Sequence, residues 1–354
     1  MDRPFLDYLI LNIMQSFGTE RSVSAGYHLL KGKRSSQTIQ DGIVFHISSF
    51  FGLFPKLSNN EYLNRIEQLK KDDLIRETDE ANTYSITVQG NQLLKQQLNQ
   101  TPIPSSLNGW LYRDETDRFW LRFSLFVQSL SHIAHNATSF IPVTTEREVQ
   151  MFVKSYLFSI RYSKEQLTSQ MYKELETIFC MLDEIEASIL LHRLTSFQRT
   201  GLTVEQCAQV LHLDKDYVYI KFVAILHSIM STILNEDSRY PILSGLMQGM
   251  KNNYNLTSST QTTFNYWQKG YTLDEIATVR ELKASTIEDH IVEIALNVPD
   301  FDLSPFLKVQ DLERIHDTMT RLNTHKLKRI KEALHDEYSY FQIRLALALS
   351  KERV

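Results

Sequence analysis

The sequence predicts a mainly α-helical, multi-domain protein, on three observations. Glycine (11) and proline (8) are scarce in 354 residues, below the ~7% and ~5% of average chains. Helices tolerate few of either, whereas loop-rich and β-rich folds need more. Apolar residues recur at three- and four-residue spacing along most of the chain, and strand-like alternation is confined to one short stretch. At this length two or three domains are expected.

Residues 1–100 read as a winged-helix-like unit. Apolar helices open it over roughly 5–16 and 36–53. A third runs from Asn59 to Asp72, with Tyr62, Leu63, Ile66, Leu69 and Leu74 on one face. Leu74–Glu77 and Tyr84–Val88 alternate as strands around Asp79, Glu80, Ala81 and Asn82, which is hairpin chemistry. Gly90 closes the hairpin and Asn91–Leu98 begins another helix. Residues 101–109, with two prolines, Ser, Asn and Gly, read as a linker.

A helical middle domain, 110–238, follows. Phe119, Trp120, Phe123, Phe126, Val127, Leu130 and Ile133 make a broad apolar stripe, and a break falls near Pro142. A polar hinge with Pro241 and Asn252-Asn253 leads to a third helical domain, 256–350. The apolar core of the N-terminus, Phe5–Met14, lacks a basic leader and is interrupted by Asp7 and Asn12, unlike a signal peptide. No run approaches ~20 uninterrupted apolar residues, so no membrane association is expected, and the location expected is cytoplasmic and nucleoid-associated. Cys180 and Cys207 read as buried small hydrophobes in a reducing compartment.

The sharpest motif is Gly270-Tyr271-Thr272-Leu273-Asp274-Glu275-Ile276-Ala277, followed after five residues by Lys283-Ala284-Ser285-Thr286-Ile287-Glu288-Asp289-His290-Ile291. Thr272 and Glu275 have capping-box spacing, and Ala277 is small where two helices cross. A helix-turn-helix at 272–294 results, with Lys283, Ser285, Thr286 and His290 as candidate DNA contacts. Glu281 stands where many such turns carry glycine, which points to a longer or different turn. Glu288 and Asp289 repel phosphate, and a motif used only for packing is the alternative. A weaker copy occurs at 203–229: Thr203 and Gln206 repeat the box, Ala208 matches Ala277, and Lys215, Tyr217, Tyr219 and Lys221 lie on its second helix. An ordinary helical hairpin is the alternative there.

Net charge is −4, and a high-affinity nucleic-acid binder usually carries a basic surplus. Contact must therefore come from local patches. Arg321–Lys331 holds five cations and no acid, with Lys326, Lys328, Arg329 and Lys331 as candidate DNA contacts; a solvated helix face is the alternative. Lys31, Lys33, Arg34, Ser35 and Ser36 form a second patch suited to phosphate or a partner carboxylate, unless Ser35 or Ser36 merely caps the next helix. Gly26–Ser35 fails as a P-loop in spacing and in lacking the hydroxyl after Lys33. His132 and His135 lack a third metal ligand. No metal, cofactor or catalytic activity is expected.

From Leu256 to about Arg353 the chain resembles the helix-turn-helix domain found at the C-termini of some RecQ-family helicases. The matching residues are Thr262-Thr263, Tyr266, Gly270, Thr272–Ala277, Ser285-Thr286-Ile287, His290-Ile291, Leu327–Lys331 and Ser339–Arg344. The whole chain, including Lys31–Thr38, is similar to the bacterial YpbB-like proteins, stand-alone helix-turn-helix proteins associated with a RecQ-type helicase. The resemblance implies a non-catalytic accessory subunit in DNA repair or recombination. Its implied partners are a RecQ-type DNA helicase and DNA, bound by structure rather than by sequence and with modest affinity alone. A transcription regulator and a pure protein–protein adaptor are the competing readings.

Overall fold

A computed structural model describes residues 3–137, 139–250 and 256–348. Asn252-Asn253 of the expected hinge, and residues 349–350 at the end of the expected third domain, lie outside the described residues. The chain is mainly α-helical, with one two-stranded antiparallel sheet among the described residues. It divides into two compact units, Met1–Leu9 with Leu93–Lys251 and Ile10–Gln92 with Asn252–Val354. The first and third segments expected from the sequence thus share one unit.

The unit built from both ends of the chain begins within α1 (Phe5–Phe17). It continues with α2 (Val23–Lys31), α3 (Ser36–Val44), α4 (Asn59–Lys71), β1 (Ile75–Glu77) and β2 (Tyr84–Ile86), and reaches the start of α5 (Val88–Gln100). The helix expected over 36–53 stops at Val44, where His46 turns left-handed at φ 55°. Helix α2, not expected from the sequence, ends on Gly32 at φ 75°. The hairpin pairs Ile75 with Ile86 and Glu77 with Tyr84. A Cβ at Gly90 would meet the Leu74 carbonyl oxygen at 2.2 Å, so only glycine lets α5 leave the hairpin this closely.

The other unit holds α6 (Gly109–Ala134), α7 (Arg147–Ser159), α8 (Lys164–Cys180), α9 (Glu184–Arg193), α10 (Val204–Leu211), α11 (Lys215–Asn235) and α12 (Pro241–Leu246). Phe119, Phe123, Phe126, Ile178, Leu190, Val218 and Ile225 form its core. Helix α11 is long and apolar enough to cross a membrane by length and hydropathy, but most of it is buried in this core. The 101–109 stretch is docked on it: Ser106 Oγ donates to Ala224 O (3.1 Å), and the Asn108 backbone N–H donates to His227 Nδ1 (2.9 Å). Cys207 is buried, whereas Cys180 is exposed, against expectation.

The unit of Ile10–Gln92 is completed by α13 (Ser258–Trp267), α14 (Leu273–Val279), α15 (Ala284–Asn297), α16 (Val309–Leu322), α17 (Leu327–Ala333) and α18 (Tyr340–Ala348). Helix α15 packs against α3, α13, α14 and α18, and every residue from His290 to Leu296 is buried. That enclosure explains why the two ends of the chain form one unit: an all-round apolar helix needs cover on all sides.

Candidate nucleic-acid interface

Helices α13 to α15 form the helix-turn-helix. Thr272 caps α14 by accepting from Glu275 N (3.3 Å), and Glu275 Oε2 accepts in return from Thr272 N (2.8 Å). After Val279 the Glu281 N–H donates to Thr278 O (3.2 Å) and the Leu282 N–H to Ala277 O (3.0 Å). This double bond pattern is a Schellman turn, with Glu281 in the left-handed position at φ 52°. In place of the expected longer or different turn stands one of ordinary length and type, in which a glutamate occupies the glycine site. Lys283 is extended and begins α15.

The weaker copy has the same local geometry. Thr203 and Gln206 form the box, His212 is left-handed at φ 54°, and Leu213 N–H donates to Ala208 O (3.0 Å). Asp214 then caps α11 and also accepts from the Phe5 N–H at the start of α1 (3.1 Å). Its second helix is inward-facing, however. Tyr217 and Lys221 are buried, and Lys221 Nζ is paired with Asp183 (2.9 Å) and Glu186 (3.2 Å).

Helix α15 is likewise a core helix beyond its first turn. Ile287, Ile291, Val292, Ile294 and Leu296 are each at most 1% exposed. At roughly 2 kcal/mol per buried aliphatic side chain, drawing α15 out to lie in a groove would cost on the order of 10 kcal/mol, comparable to a whole domain's stability. Its N-terminal half faces solvent, with Lys283 and Ser285 exposed and Thr286, Glu288 and Asp289 half-buried. His290 is corrected from contact to core residue. Its Nδ1 lies 2.7 Å from Thr263 Oγ1; burial and the neighbouring Arg280 charge hold its pKa down at about 4. Arg280 also donates to Ser259 O (2.8 Å), so this cluster ties α13, α14 and α15 together.

Arg344 of α18 joins two of the expected patches. Its guanidinium bonds to Asp289 of α15 and to Ser36 at the start of α3, and its Nε donates to Gln40 Oε1 (3.1 Å). Asp289 is thereby charge-compensated, and the α2–α3 turn lies beside α15. Lys33 and Arg34 of that turn are exposed, and Arg34's charge acts on Glu293. Burial pushes the Glu293 carboxyl up, against hydrogen bonds from Thr257 and Thr260 that pull it down. Ser35 is a helix cap, accepting from Thr38 N (3.3 Å). Lys31 donates to Leu57 O (3.0 Å) and acts as a strut.

The third patch is engaged within the same unit. Lys326 Nζ bonds both Glu80 carboxylate oxygens (2.7 and 2.6 Å), and Arg329 reaches Glu80 at 3.7 Å. Lys331 pairs with Asp336, and Lys328 lies 3.9 Å from Glu332. His325 binds Glu20 through its ring Nδ1 (3.0 Å). Acid-free in sequence, the tract is faced by carboxylates in space. Lys328 and Arg329 stay exposed, while Lys326 and Lys331 are mostly covered. Arg280 and Arg344, which hold the site together, carry no role readable from sequence, because their partners lie up to 308 residues away.

Residues 259–347 match the family described as a helix-turn-helix domain. The chain is 35% identical over 348 residues to Protein YpbB of Bacillus subtilis (strain 168), covering 98% of each. No solved structure matches.

Proposed function

The chain belongs to the family of Protein YpbB, and from that premise we propose that it is a non-catalytic accessory protein acting on DNA with a RecQ-type DNA helicase in repair and recombination. The observation that carries the reading is that the α2–α3 turn, with exposed Lys33 and Arg34, packs beside α15 through Arg344. Lys283 and Ser285 are exposed at the N-terminal end of that helix, which is buried from His290 to Leu296. Such a surface suits phosphate contact, which positions a protein without reading bases. Burial of α15 favours binding directed by DNA structure over the base readout that a transcription regulator requires. The helicase partnership rests on the resemblance of the segment from Leu256 to about Arg353 to the helix-turn-helix domain at the C-termini of some RecQ-family helicases.

A protein adaptor is the second reading, favoured by the pairing of Lys326, Arg329 and Lys331 with carboxylates. Anisotropy of a labelled forked duplex across a salt series, with and without a RecQ-type helicase, separates the two. A Lys33→Ala, Arg34→Ala, Lys283→Ala variant should flatten the log K against log salt slope by roughly 0.9 per lost phosphate contact. Salt-independent or absent DNA binding together with a stable helicase complex would replace the DNA reading by the adaptor.

A further inference from the structure

From Val149 to Lys164 the chain has no acidic residue, three cations and four aromatic rings. Val149 and Val153 turn into the core. Met151, Lys154 and Phe158 follow one another along the outer face of α7, and Arg161 and Tyr162 are exposed just beyond its end. Phe158 is 81% exposed, Met151 69% and Tyr162 46%. Among the described residues, no ion pair or hydrogen bond engages the side chains of Lys154 or Arg161. Lys164 donates to the neutral amide oxygen of Asn136 and its charge acts on neighbouring Glu165. The nearest carboxylates on either side, Glu148 and Glu165, lie outside the stripe, and Glu165 accepts from Ser163 Oγ (3.0 Å).

We propose that this face of α7 binds single-stranded nucleic acid, with Phe158 and Tyr162 stacking on bases and Lys154 and Arg161 meeting phosphates. Charge complementarity selects an anionic occupant. The apolar component selects among anions: a ring with four-fifths of its surface in water projects outward and offers a flat stacking face, as single-strand binders do with successive bases. A peptide's hydrophobic anchors need a pocket to fill. The proposal stands apart from the helix-turn-helix reading, since none of its residues belongs to that motif or to that unit.

The test is anisotropy of a labelled oligothymidylate with the full-length chain over a salt series. Phe158→Ala with Tyr162→Ala should weaken binding by about tenfold or more, given the usual worth of a base–aromatic stack, and leave the salt slope in place. Lys154→Ala with Arg161→Ala should flatten that slope by about 1.4, from two phosphates at ~0.7 each. All four positions are exposed, and matching circular-dichroism melts confirm that the variants are folded. The proposal is overturned if the wild-type chain shows no salt-dependent binding, if both variants bind like wild type, or if duplex competes equally well. Binding to an acidic, phenylalanine-containing peptide in place of the oligonucleotide would overturn it too. Loss of oligothymidylate binding in the Lys33→Ala, Arg34→Ala, Lys283→Ala variant but in neither α7 variant would assign the single strand to the helix-turn-helix side and overturn the proposal.

Discussion

His227 of α11 is the group through which mild acid should loosen the unit that contains α6 to α12. Its Nδ1 accepts the Asn108 backbone N–H (2.9 Å), which places the ring proton on Nε2, 3.0 Å from Thr116 Oγ1. The Thr116 hydroxyl passes its own proton to Tyr112 O (2.7 Å). Every donor in this chain has one acceptor, so a second proton on the imidazole has no place to go. Burial holds the His227 pKa at about 3, against an ordinary 6.5. A depressed folded-state pKa means that the contribution is complete above pH 6.5 and is lost as pH falls from there toward about 3.

At about pH 5 linkage sets that loss near 2 kcal/mol, a figure that hardly changes for any folded pKa below about 4. With a urea m-value of about 2 kcal/mol/M, the midpoint should drop by about 1 M between roughly pH 7.5 and pH 5. Trp110 and Trp120 lie in this unit and Trp267 in the other, so fluorescence in a Trp267→Phe background reports the right transition. His227→Gln keeps an acceptor for Asn108 and a donor for Thr116 but does not titrate, and should remove the His227 share of the drop. Equal midpoint losses in the variant and its parent would refute the reasoning.

Four further outcomes follow from the other unit. Glu281→Gly should stabilise it by up to about 1 kcal/mol, because a left-handed non-glycine residue costs ~1–2 kcal/mol and glycine's extra unfolded-state freedom returns part of that. A Tm rise of about 2–4 °C in calorimetry checks it, and Glu281→Val should lower Tm. Burial pushes the Glu20 carboxyl up, but hydrogen bonds from His325 and Thr324 and the His325 charge outweigh it and hold the pKa at about 2. Stability from Glu20 should therefore be full above pH 4.5 and vanish toward pH 2. Its partial exposure limits this to about 1–2 kcal/mol, and Glu20→Gln should flatten the acid limb of a urea-midpoint profile. His290→Ala should lower the unit's stability by about 1–3 kcal/mol through the lost bond to the buried Thr263 hydroxyl; Lys283→Ala should weaken forked-DNA binding with an unchanged melt.

What was legible in the sequence was local. The capping boxes Thr203–Gln206 and Thr272–Glu275 and the small residues Ala208 and Ala277 located the helix starts and turns of the 272–294 motif and of its weaker copy, because a cap and the turn after it depend on residues within about ten positions. The hairpin was legible for the same reason. Helix α2 escaped notice because its boundaries are a serine without a cap bond and Gly32 inside a basic tract, which reads equally well as a loop. The burial of α15 was not legible either: its covers, α3 and α18, lie far away in the chain.

Electrostatics shows the consequence for function. A run of cations in sequence measures charge before folding, and a partner sees only the charge left uncompensated afterwards. The 321–331 tract is the stronger run, yet Lys326 and Arg329 meet Glu80 from the hairpin turn, 246 residues from Lys326, and Lys331 meets Asp336. The 149–164 tract has fewer cations, yet it keeps Lys154 and Arg161 free among the described residues and places them beside a protruding Phe158. An exposed pair of matched charges gives a nucleic acid little net field, whereas two unmatched cations next to an aromatic ring offer both phosphate and base a partner. By that criterion the outer face of α7 is the surface to test for DNA ahead of the most basic stretch of the sequence.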